Sequence, residues 1–163
     1  MSNAAPRRIQ PAPVKKSLVV PASQKRAFEV FTAGFGRWWP KTHSIGASPL
    51  KLAVMESKAG GRWYGQLEDG SQAEWGDVLA WEPPARVLLA WRIGADWRYD
   101  PSLLTEVEVT FAAEGEGTRV TLEHRLLENM GAEAAAVREL FSSDSGWSGL
   151  LHLFAAEIGK DDD

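Results

Sequence analysis

The sequence contains no cysteine among its 163 residues. A chain without thiols forms no disulfide framework, no iron–sulfur cluster and no cysteine zinc site, and it has no thiolate nucleophile. The composition therefore excludes small disulfide-stapled folds and cysteine enzymes, and it is typical of proteins in a reducing compartment.

The sequence also lacks an excess of basic residues and a long apolar run. Its 18 Lys and Arg residues are set against 22 Asp and Glu residues, which gives a net charge of −4 at pH 7. Such a chain has no basic surplus with which to bind phosphate backbones. No apolar run is long enough to span a membrane, and the basic N-terminus MSNAAPRRIQPAPV is not followed by an apolar leader segment. We expect a cytoplasmic protein that binds neither nucleic acid nor membrane.

Histidine is scarce, and the familiar catalytic motifs are missing. His43, His124 and His152 are isolated from one another, with no HxH or HxxxH spacing, so we expect no metal ion and no cofactor. The segment 146-GWSGL-150 lacks the last glycine of a nucleophile elbow, and 34-GFGRWW-39 lacks the third glycine of a dinucleotide loop. No catalytic residue is assigned from the sequence.

Tryptophan, in contrast, is abundant, with eight residues in the chain. Two of them are adjacent in 34-GFGRWWPKTHSIG-46, beside a proline and a histidine. Side chains of neighbouring residues lie about 100° apart on a helix, so we expect one of Trp38 and Trp39 in the core and the other at a cavity mouth. We interpret this segment as a structural corner that also forms one lip of a pocket, and not as a catalytic loop.

Residues 14–159 are predicted to form one α+β domain, with disordered segments at 1–13 and 160–163. A strand at 14–20 is followed by a helix at 24–33, which Ser23 caps, and then by a short helix or corner. The hydrophobic period then changes from 3.6 to 2. The strand-like runs lie at 51–57, 61–68, 71–82, 86–93, 103–113 and 117–127. Short links between them, such as Asp69-Gly70 and 114-EGEG-117, predict an antiparallel meander.

Alternation along the strands predicts which side chains face the core. The run at 71–82 is expected to point one face inward through Trp75, Asp77, Leu79 and Trp81. The last two runs are expected to pair Val107, Val109 and Phe111 with Val120, Leu122, His124 and Leu126. The opposite, wet face carries Glu106, Glu108, Thr121, Glu123 and Arg125. An inward Asp77 would need a donor such as Arg62, Tyr64 or a Trp N–H, or would lie at a bend that Gly76 introduces, and we favour the bend.

The C-terminal region is predicted to cover the sheet with two helices, at 131–140 and 143–158, the second capped by Ser143 or Asp144. Its apolar stripe consists of Trp147, Leu150, Leu151, Phe154 and Ile158. The predicted architecture is a curved antiparallel sheet of about six to seven strands wrapped around a long C-terminal helix, with two short helices after the first strand.

Four segments together resemble one family: 37-RWWPKTHSIG-46, 60-GGRWYGQLEDGSQAEWGDVLAWEPPARVLLAW-91, 117-GTRVTLEHRLL-127 and 146-GWSGLL-151. The chain is similar to bacterial single-domain members of the SRPBCC (START-like, Bet v 1-like) superfamily. More narrowly, it resembles the family named after the C-terminal domain of the activator of heat-shock-protein-90 ATPase. The resemblance implies a helix-grip fold with an elongated apolar cavity between sheet and terminal helix. It implies little about chemistry, because relatives include lipid and hormone carriers, aromatase/cyclases, ring-hydroxylase subunits and co-chaperones.

The candidate ligand-binding residues share a predicted position near this cavity, and all but the aliphatic Leu151 are aromatic or histidine. They are Trp38, Trp39, His43, Trp63, Tyr64, Trp75, Trp91, Trp97, His124, Trp147 and Leu151. Aromatic residues on a sheet face are also common in plain cores. His124 in particular is either a core histidine satisfied by a neighbour or the polar group of an otherwise apolar cavity, and the sequence leaves both readings open.

We therefore expect a module that binds an unidentified small hydrophobic or amphipathic molecule. One alternative is a polyketide cyclase or hydrolase-like enzyme that uses His124 or His43 as general acid or base in the same cavity. Another is a co-chaperone-like module that binds heat-shock protein 90. A protein partner and a homodimer both remain open.

Overall fold

The computed structural model describes residues 12–160. The ends that were predicted to be disordered, 1–13 and 160–163, lie almost entirely outside this range. Neither prediction is therefore tested, and the boundaries of the domain stay predictions.

Seven strands form one sheet in which every neighbouring pair is antiparallel. They are β1 (Val14–Val20), β2 (Leu50–Met55), β3 (Arg62–Leu67), β4 (Gln72–Glu82), β5 (Arg86–Trp91), β6 (Thr105–Glu114) and β7 (Gly117–Arg125). The order across the sheet is β1-β7-β6-β5-β4-β3-β2. The strands from β2 to β7 form the predicted meander, and β1 adds to its last strand.

Helices lie at both ends of the chain. They are α1 (Gln24–Phe31), α2 (Phe35–Trp38), a 3₁₀ helix (Leu127–Glu133), α3 (Ala134–Ser142) and α4 (Trp147–Lys160). Ser23 caps α1 as predicted, since its side chain accepts a hydrogen bond from the Arg26 backbone N–H at 3.1 Å. No helix within the described part of the chain is long and apolar enough to cross a membrane.

Helix α4 carries the predicted apolar stripe into the core. All five stripe residues are buried: Trp147, Leu150, Leu151, Phe154 and Ile158. Phe154 makes edge contacts with Phe31 and Trp38 at ring-centroid distances of 5.2 and 5.7 Å. Burying a side chain of this size stabilises the fold by roughly 1.5–3 kcal/mol. The curved sheet that holds this helix confirms the helix-grip α+β fold.

The predicted inward face of β4 is wrong at Asp77 and Leu79, because a β-bulge interrupts the strand, whereas Trp81 packs against the core as predicted. Trp63 of β3 is opposite Gly76, whereas the next residue, Tyr64, is opposite Glu74. One residue of β4, Trp75, therefore has no partner in the ladder, and the alternation of faces is reset there. A glycine at 76 is required because a Cβ there would overlap a backbone carbonyl of β5.

Consequently, Asp77 and Leu79 do not share the inward face. Leu79 is 39% exposed, at a second shift where β4 pairs with β5. Asp77 lies at the bend, as favoured from the sequence. Its hydrogen-bond donor is Arg92, and not Arg62, Tyr64 or a Trp N–H. The Arg92 Nε donates to Asp77 Oδ2 at 3.1 Å. Trp81 is half-buried against Phe28, at a ring distance of 5.0 Å.

The outer face of β6 and β7 carries the predicted charged residues as an ion-pair network. Arg125 contacts Glu106, Glu108 and Glu123 at 3.0, 3.0 and 3.1 Å. Arg86 also hydrogen-bonds Glu108, and these bonds from Arg86 and Arg125 lower the Glu108 pKa. The network stabilises the sheet on the face opposite to the helices.

Candidate functional site

A cavity of about 390 Å³ opens between the sheet, α3, α4 and the loop after α2. Its walls come from the loop (Trp39, Thr42, His43, Ser44, Ile45), from β4, β5 and the following connection (Trp75, Trp91, Ile93, Trp97), and from the helices and their junction (Leu140, Phe141, Ser145, Gly146, Trp147, Leu150). Five of these fifteen residues are tryptophan. A volume of this size is in the range of small-molecule sites.

The aromatic wall is built from rings that contact one another mainly at their edges. Trp91 lies 5.2 Å from Phe141 and 5.8 Å from Trp147 between ring centroids. Trp39 lies 5.5 Å from Trp75 and 6.0 Å from Trp147. Tilted and edge-to-face contacts at these distances are favourable for aromatic pairs. The rings of the wall thus pack against one another in one continuous aromatic cluster.

The two adjacent tryptophans lie in different environments. Trp38 is in the core, where its Nε1–H donates to the Val30 carbonyl at 3.1 Å. Trp39 lies in the cavity wall, and its Nε1–H donates to the His43 carbonyl at 2.7 Å. The second bond folds the loop back on itself, so that residues 42–45 border the cavity.

His43 connects this loop to the junction between α3 and α4. Its Nε2 is 2.7 Å from the Ser145 carbonyl oxygen, so this nitrogen carries a proton and donates it. The other ring nitrogen, Nδ1, is 3.0 Å from the Thr42 hydroxyl. The half-buried imidazole therefore connects the loop after α2 to the junction between α3 and α4 at the cavity wall.

The junction itself differs from the prediction, which began the last helix at 143. Helix α3 ends with Ser143 as its C-cap, and the Ser143 Oγ donates to the Leu140 carbonyl at 2.6 Å. Helix α4 begins only at Trp147. The turn between the helices places Ser145 and Gly146 in the cavity wall.

The connection after β5 contributes Trp97 to the cavity wall. This residue has a φ of 61°, a left-handed conformation that is uncommon for a tryptophan. Its backbone N–H donates to the Gly94 carbonyl at 2.9 Å, which closes a tight turn. Trp97 is 49% exposed, and Leu140 next to the mouth is 41% exposed. These two exposed apolar side chains line the same cavity as the polar side chains of Thr42, His43 and Ser145.

His124 is a buried core histidine whose two ring nitrogens both have partners. The Trp147 Nε1–H donates to Nδ1 at 3.1 Å, so Nε2 carries the proton and faces the Thr105 hydroxyl at 2.9 Å. The Thr105 hydroxyl in turn donates to the Trp91 carbonyl at 2.9 Å. Phe141 stacks on the imidazole at 4.9 Å and 11°. Of the two readings left open, the structure favours the satisfied core histidine.

Burial also determines the charge of His124. The side chain is 0% exposed, and this burial lowers its pKa to about 3. The imidazole is therefore neutral near pH 7, and it holds the indole of Trp147 and the start of β6 in position behind the cavity wall.

The candidate residues from the sequence divide into two groups. Those in the cavity wall are Trp39, His43, Trp75, Trp91, Trp97 and Trp147. Those outside it are Trp38, Trp63, Tyr64, His124 and Leu151. Trp63 is a core residue that donates to the Ala90 carbonyl at 2.8 Å, and Tyr64 is covered by the Arg62 guanidinium at 4.2 Å. A role of any of them in ligand binding stays a prediction.

Sequence reasoning predicted that the segment 34–46 forms one lip of a pocket, but the candidate list left out nine residues of the wall. They are Thr42, Ser44, Ile45, Ile93, Leu140, Phe141, Ser145, Gly146 and Leu150. The segment 142-SSDSG-146 carries a signal that could have found some of them, because small polar residues and a glycine interrupt a helical pattern there.

The wall contains no Asp, Glu, Lys or Arg, so a bound molecule would meet no formal charge while His43 is neutral. Within residues 12–160, no group of three or more His, Asp or Glu side chains lies close enough together to hold a metal ion. The chemistry that the cavity offers is apolar contact, aromatic stacking and a few neutral hydrogen bonds.

Comparisons with known proteins agree with this geometry. The family model described as "Activator of Hsp90 ATPase homolog 1-like protein" matches residues 21–159. A comparison with curated proteins gave no match. Among the solved structures that match the chain are two that are each more than 30% identical to it. The anthrahydroquino-gamma-pyrone synthase Txn09, complexed with SUM, is 35% identical and covers 90% of this chain and 97% of its own, with a TM-score of 0.63.

The second is CalC from Micromonospora echinospora, a self-sacrificing resistance protein. It is 33% identical and covers 92% of this chain and 96% of its own, with a TM-score of 0.69. Protein MLL2253 from Mesorhizobium loti shares the fold at 15% identity, with coverage of 93% and 99% and a TM-score of 0.67.

Proposed function

Because the chain belongs to the Activator of Hsp90 ATPase homolog 1-like family, whose fold encloses a cavity here, we propose that it binds a small, uncharged, flat aromatic molecule. The observation that carries this proposal is the cavity of about 390 Å³ with its aromatic wall. Each 100 Å² of apolar ligand surface that enters such a cavity contributes roughly 2.5 kcal/mol of binding free energy.

The absence of charge in the wall favours an uncharged ligand. An ionised carboxylate that is buried without a cationic partner loses far more hydration energy than neutral hydrogen bonds return. Fatty acids are therefore poor candidates, although their chains are apolar. The tryptophan rings instead offer broad flat faces, which stack well on fused aromatic rings.

The likeness to Txn09 supports the same class of ligand. That protein is named for a product with an anthrahydroquinone and a pyrone, and at 35% identity it covers most of this chain. We extend the ligand class, a flat fused-ring molecule, to the present cavity. The cytoplasmic location expected from the sequence is part of the proposal, and fractionation of cells tests it.

The first experiment combines native mass spectrometry of the purified protein with titrations followed by tryptophan fluorescence and thermal shift. The panel contains fatty acids, sterols and aromatic polyketides. We expect saturable quenching and a raised Tm with the flat uncharged aromatics, and no response to the fatty acids. The absence of any saturable response across the panel would contradict ligand binding and favour a protein-binding role.

A variant at the cavity mouth sharpens this test. Trp97 is half exposed, so Trp97→Ala should weaken ligand binding about fivefold or more while the Tm of the free protein stays close to that of wild type. The matched control is Leu153→Ala, which removes an apolar side chain that is 43% exposed and lies outside the cavity wall. Equal effects of the two variants on affinity would remove Trp97 from the site.

A catalytic role of the same cavity is the second candidate, and the position of His43 in the wall favours it. A general acid or base must exchange a proton with the ligand through a ring nitrogen. Here Nε2 is bonded to the Ser145 carbonyl, so Nδ1 is the available atom once the Thr42 hydroxyl turns away.

The compound that Txn09 converts is the substrate with which to test catalysis, with products followed by liquid chromatography and mass spectrometry. His43→Gln should abolish turnover if the imidazole transfers a proton, and the exposed His152→Gln serves as control. Turnover that survives His43→Gln would rule out this mechanism.

A further inference from the structure

One residue of the cavity wall, Trp75, carries a buried hydrogen-bond donor without a partner among the described residues. Among the buried side-chain nitrogen and oxygen atoms of residues 12–160, Nε1 of Trp75 alone forms no hydrogen bond. The residue is only 2% exposed. A buried N–H without an acceptor costs about 1–3 kcal/mol, so such a group calls for an explanation.

The other buried indoles show that this is a property of one position and not of tryptophan in this fold. The N–H groups of Trp39 and Trp91 donate to backbone carbonyls, of His43 at 2.7 Å and of Ile93 at 3.0 Å. The N–H of Trp147 donates to the imidazole of His124. Trp38 and Trp63, outside the wall, also donate to carbonyls. Trp75 differs from all five.

The indole of Trp75 and the hydroxyl of Ser44, both wall residues, lie beside the same glycine, Gly65. The ring atom Cζ2 of Trp75 is bonded to the same carbon as Nε1, and it lies over Gly65, 3.2 Å from the position of a Cβ there. The Oγ of Ser44 lies 3.6 Å from that same position. The hydroxyl makes one long bond, 3.2 Å to the Ile45 carbonyl, so it is free to turn toward another partner.

We propose that the indole N–H of Trp75 binds a carbonyl or quinone oxygen of the ligand, with the Ser44 hydroxyl as a second donor to that oxygen. This proposal rests on the proposed function and narrows its ligand class. An indole N–H only donates, so the ligand atom must be an acceptor. A carbonyl oxygen is neutral, as the uncharged wall requires, and its two lone pairs suit two donors.

The test uses two probes of matched shape, 9-fluorenone and fluorene, which differ by a carbonyl in place of a methylene. Affinities are measured by equilibrium dialysis for wild type, Trp75→Phe and Trp91→Phe. Trp75→Phe removes the free N–H together with part of a ring. Trp91→Phe is the matched control, because it removes the same atoms from the wall where the N–H is already bonded to Ile93.

We expect Trp75→Phe to reduce the preference for fluorenone over fluorene by about fivefold to tenfold, the value of one hydrogen bond in a buried site. Trp91→Phe should weaken both probes by similar factors and leave the preference unchanged. An unchanged preference in Trp75→Phe, with both probes still bound, would overturn the assignment of this donor and leave the proposed function in place. If neither probe binds wild type, the proposed function fails, and the donor assignment fails with it.

A spectroscopic measurement does not depend on the folding of a variant. In a wild-type ¹H–¹⁵N spectrum with assigned indole signals, the Trp75 N–H should shift further downfield with fluorenone than with fluorene. Equal shifts would mean that the N–H keeps a partner inside the protein, such as the face of the Trp39 ring at 5.5 Å, and would overturn the proposal.

Discussion

Replacement of His124 by glutamine tests the idea that this histidine is a neutral structural group. In the folded protein both ring nitrogens are occupied, since Nδ1 accepts from Trp147 and Nε2 faces the Thr105 hydroxyl. A second proton would have to be placed on Nδ1, where it would break the bond from Trp147. The resulting charge would be surrounded by the rings of Trp91, Phe141 and Trp147. Folding therefore opposes protonation of this residue.

The size of the effect follows from the pKa. Burial lowers the His124 pKa from its ordinary value of 6.5 to about 3 in the folded state. The unfolded chain thus binds more protons than the folded protein below pH 6.5, and stability must fall as the pH falls from 6.5 toward 3. At pH 5 the difference between the two pKa values corresponds to about 2 kcal/mol of lost unfolding free energy from this one residue.

Urea denaturation followed by tryptophan fluorescence at pH 7 and pH 5 measures this loss. We expect His124→Gln to be less stable than wild type at pH 7 by about 1–3 kcal/mol, because the glutamine satisfies the two partners imperfectly. Its further loss between pH 7 and pH 5, however, should be smaller than that of wild type by about 2 kcal/mol. His152→Gln is the control, because it removes an exposed histidine and keeps His124. A pH-dependent loss as large in His124→Gln as in wild type would refute the reasoning.

Two further predictions concern the sheet. Gly76→Ala should destabilise the protein by several kcal/mol, because its Cβ would overlap the Ala90 carbonyl oxygen. Gly159→Ala is the control and should have little effect, since nothing lies within 4 Å of the added atom. Equal Tm values for the two variants would contradict the role of the bulge. Arg125→Met should destabilise the protein by about 1–3 kcal/mol at pH 7, because three glutamates lose a shared cation. Bonds from Arg86 and Arg125 lower the Glu108 pKa, so the stabilisation that they provide is present above the ordinary Glu pKa of 4.5 and is lost as the pH falls. The destabilisation by Arg125→Met, measured by urea denaturation, should therefore be smaller at pH 3 than at pH 7. A destabilisation of constant size would contradict the network.

Much of the fold could be predicted because period-2 and period-3.6 patterns depend on local sequence. The stripe of α4 and the inward position of His124 follow from such patterns. Alternation failed after Trp75, because a bulge inserts one residue and reverses the faces of the side chains up to the second shift at Leu79. Gly76 indicated a bulge in the sequence. Which residue of β4 is left unpaired, however, depends on the register in which β4 pairs with β3.

The cavity was harder to predict, because its walls come from places where regular patterns end. Ser145 and Gly146 line it only because α3 stops before them and α4 begins after them. A continuous helix from 143 would have placed these residues inside a regular element. The candidate list therefore contained mainly aromatic residues, with His43 from the loop after α2, and it lacked the junction residues Ser145 and Gly146.

A richness in tryptophan does not by itself distinguish a ligand site from a core, since indoles suit both. The difference lies in where each N–H is directed. Trp38 and Trp63 are structural, as their N–H groups satisfy the carbonyls of Val30 and Ala90. Trp75 is as deeply buried, yet its N–H has no acceptor among the described residues. Such donors are identified only when every hydrogen bond is assigned, which requires tertiary structure. For this reason the residue with the strongest claim to contact a polar ligand atom is an indole, and not one of the histidines that sequence reasoning places first.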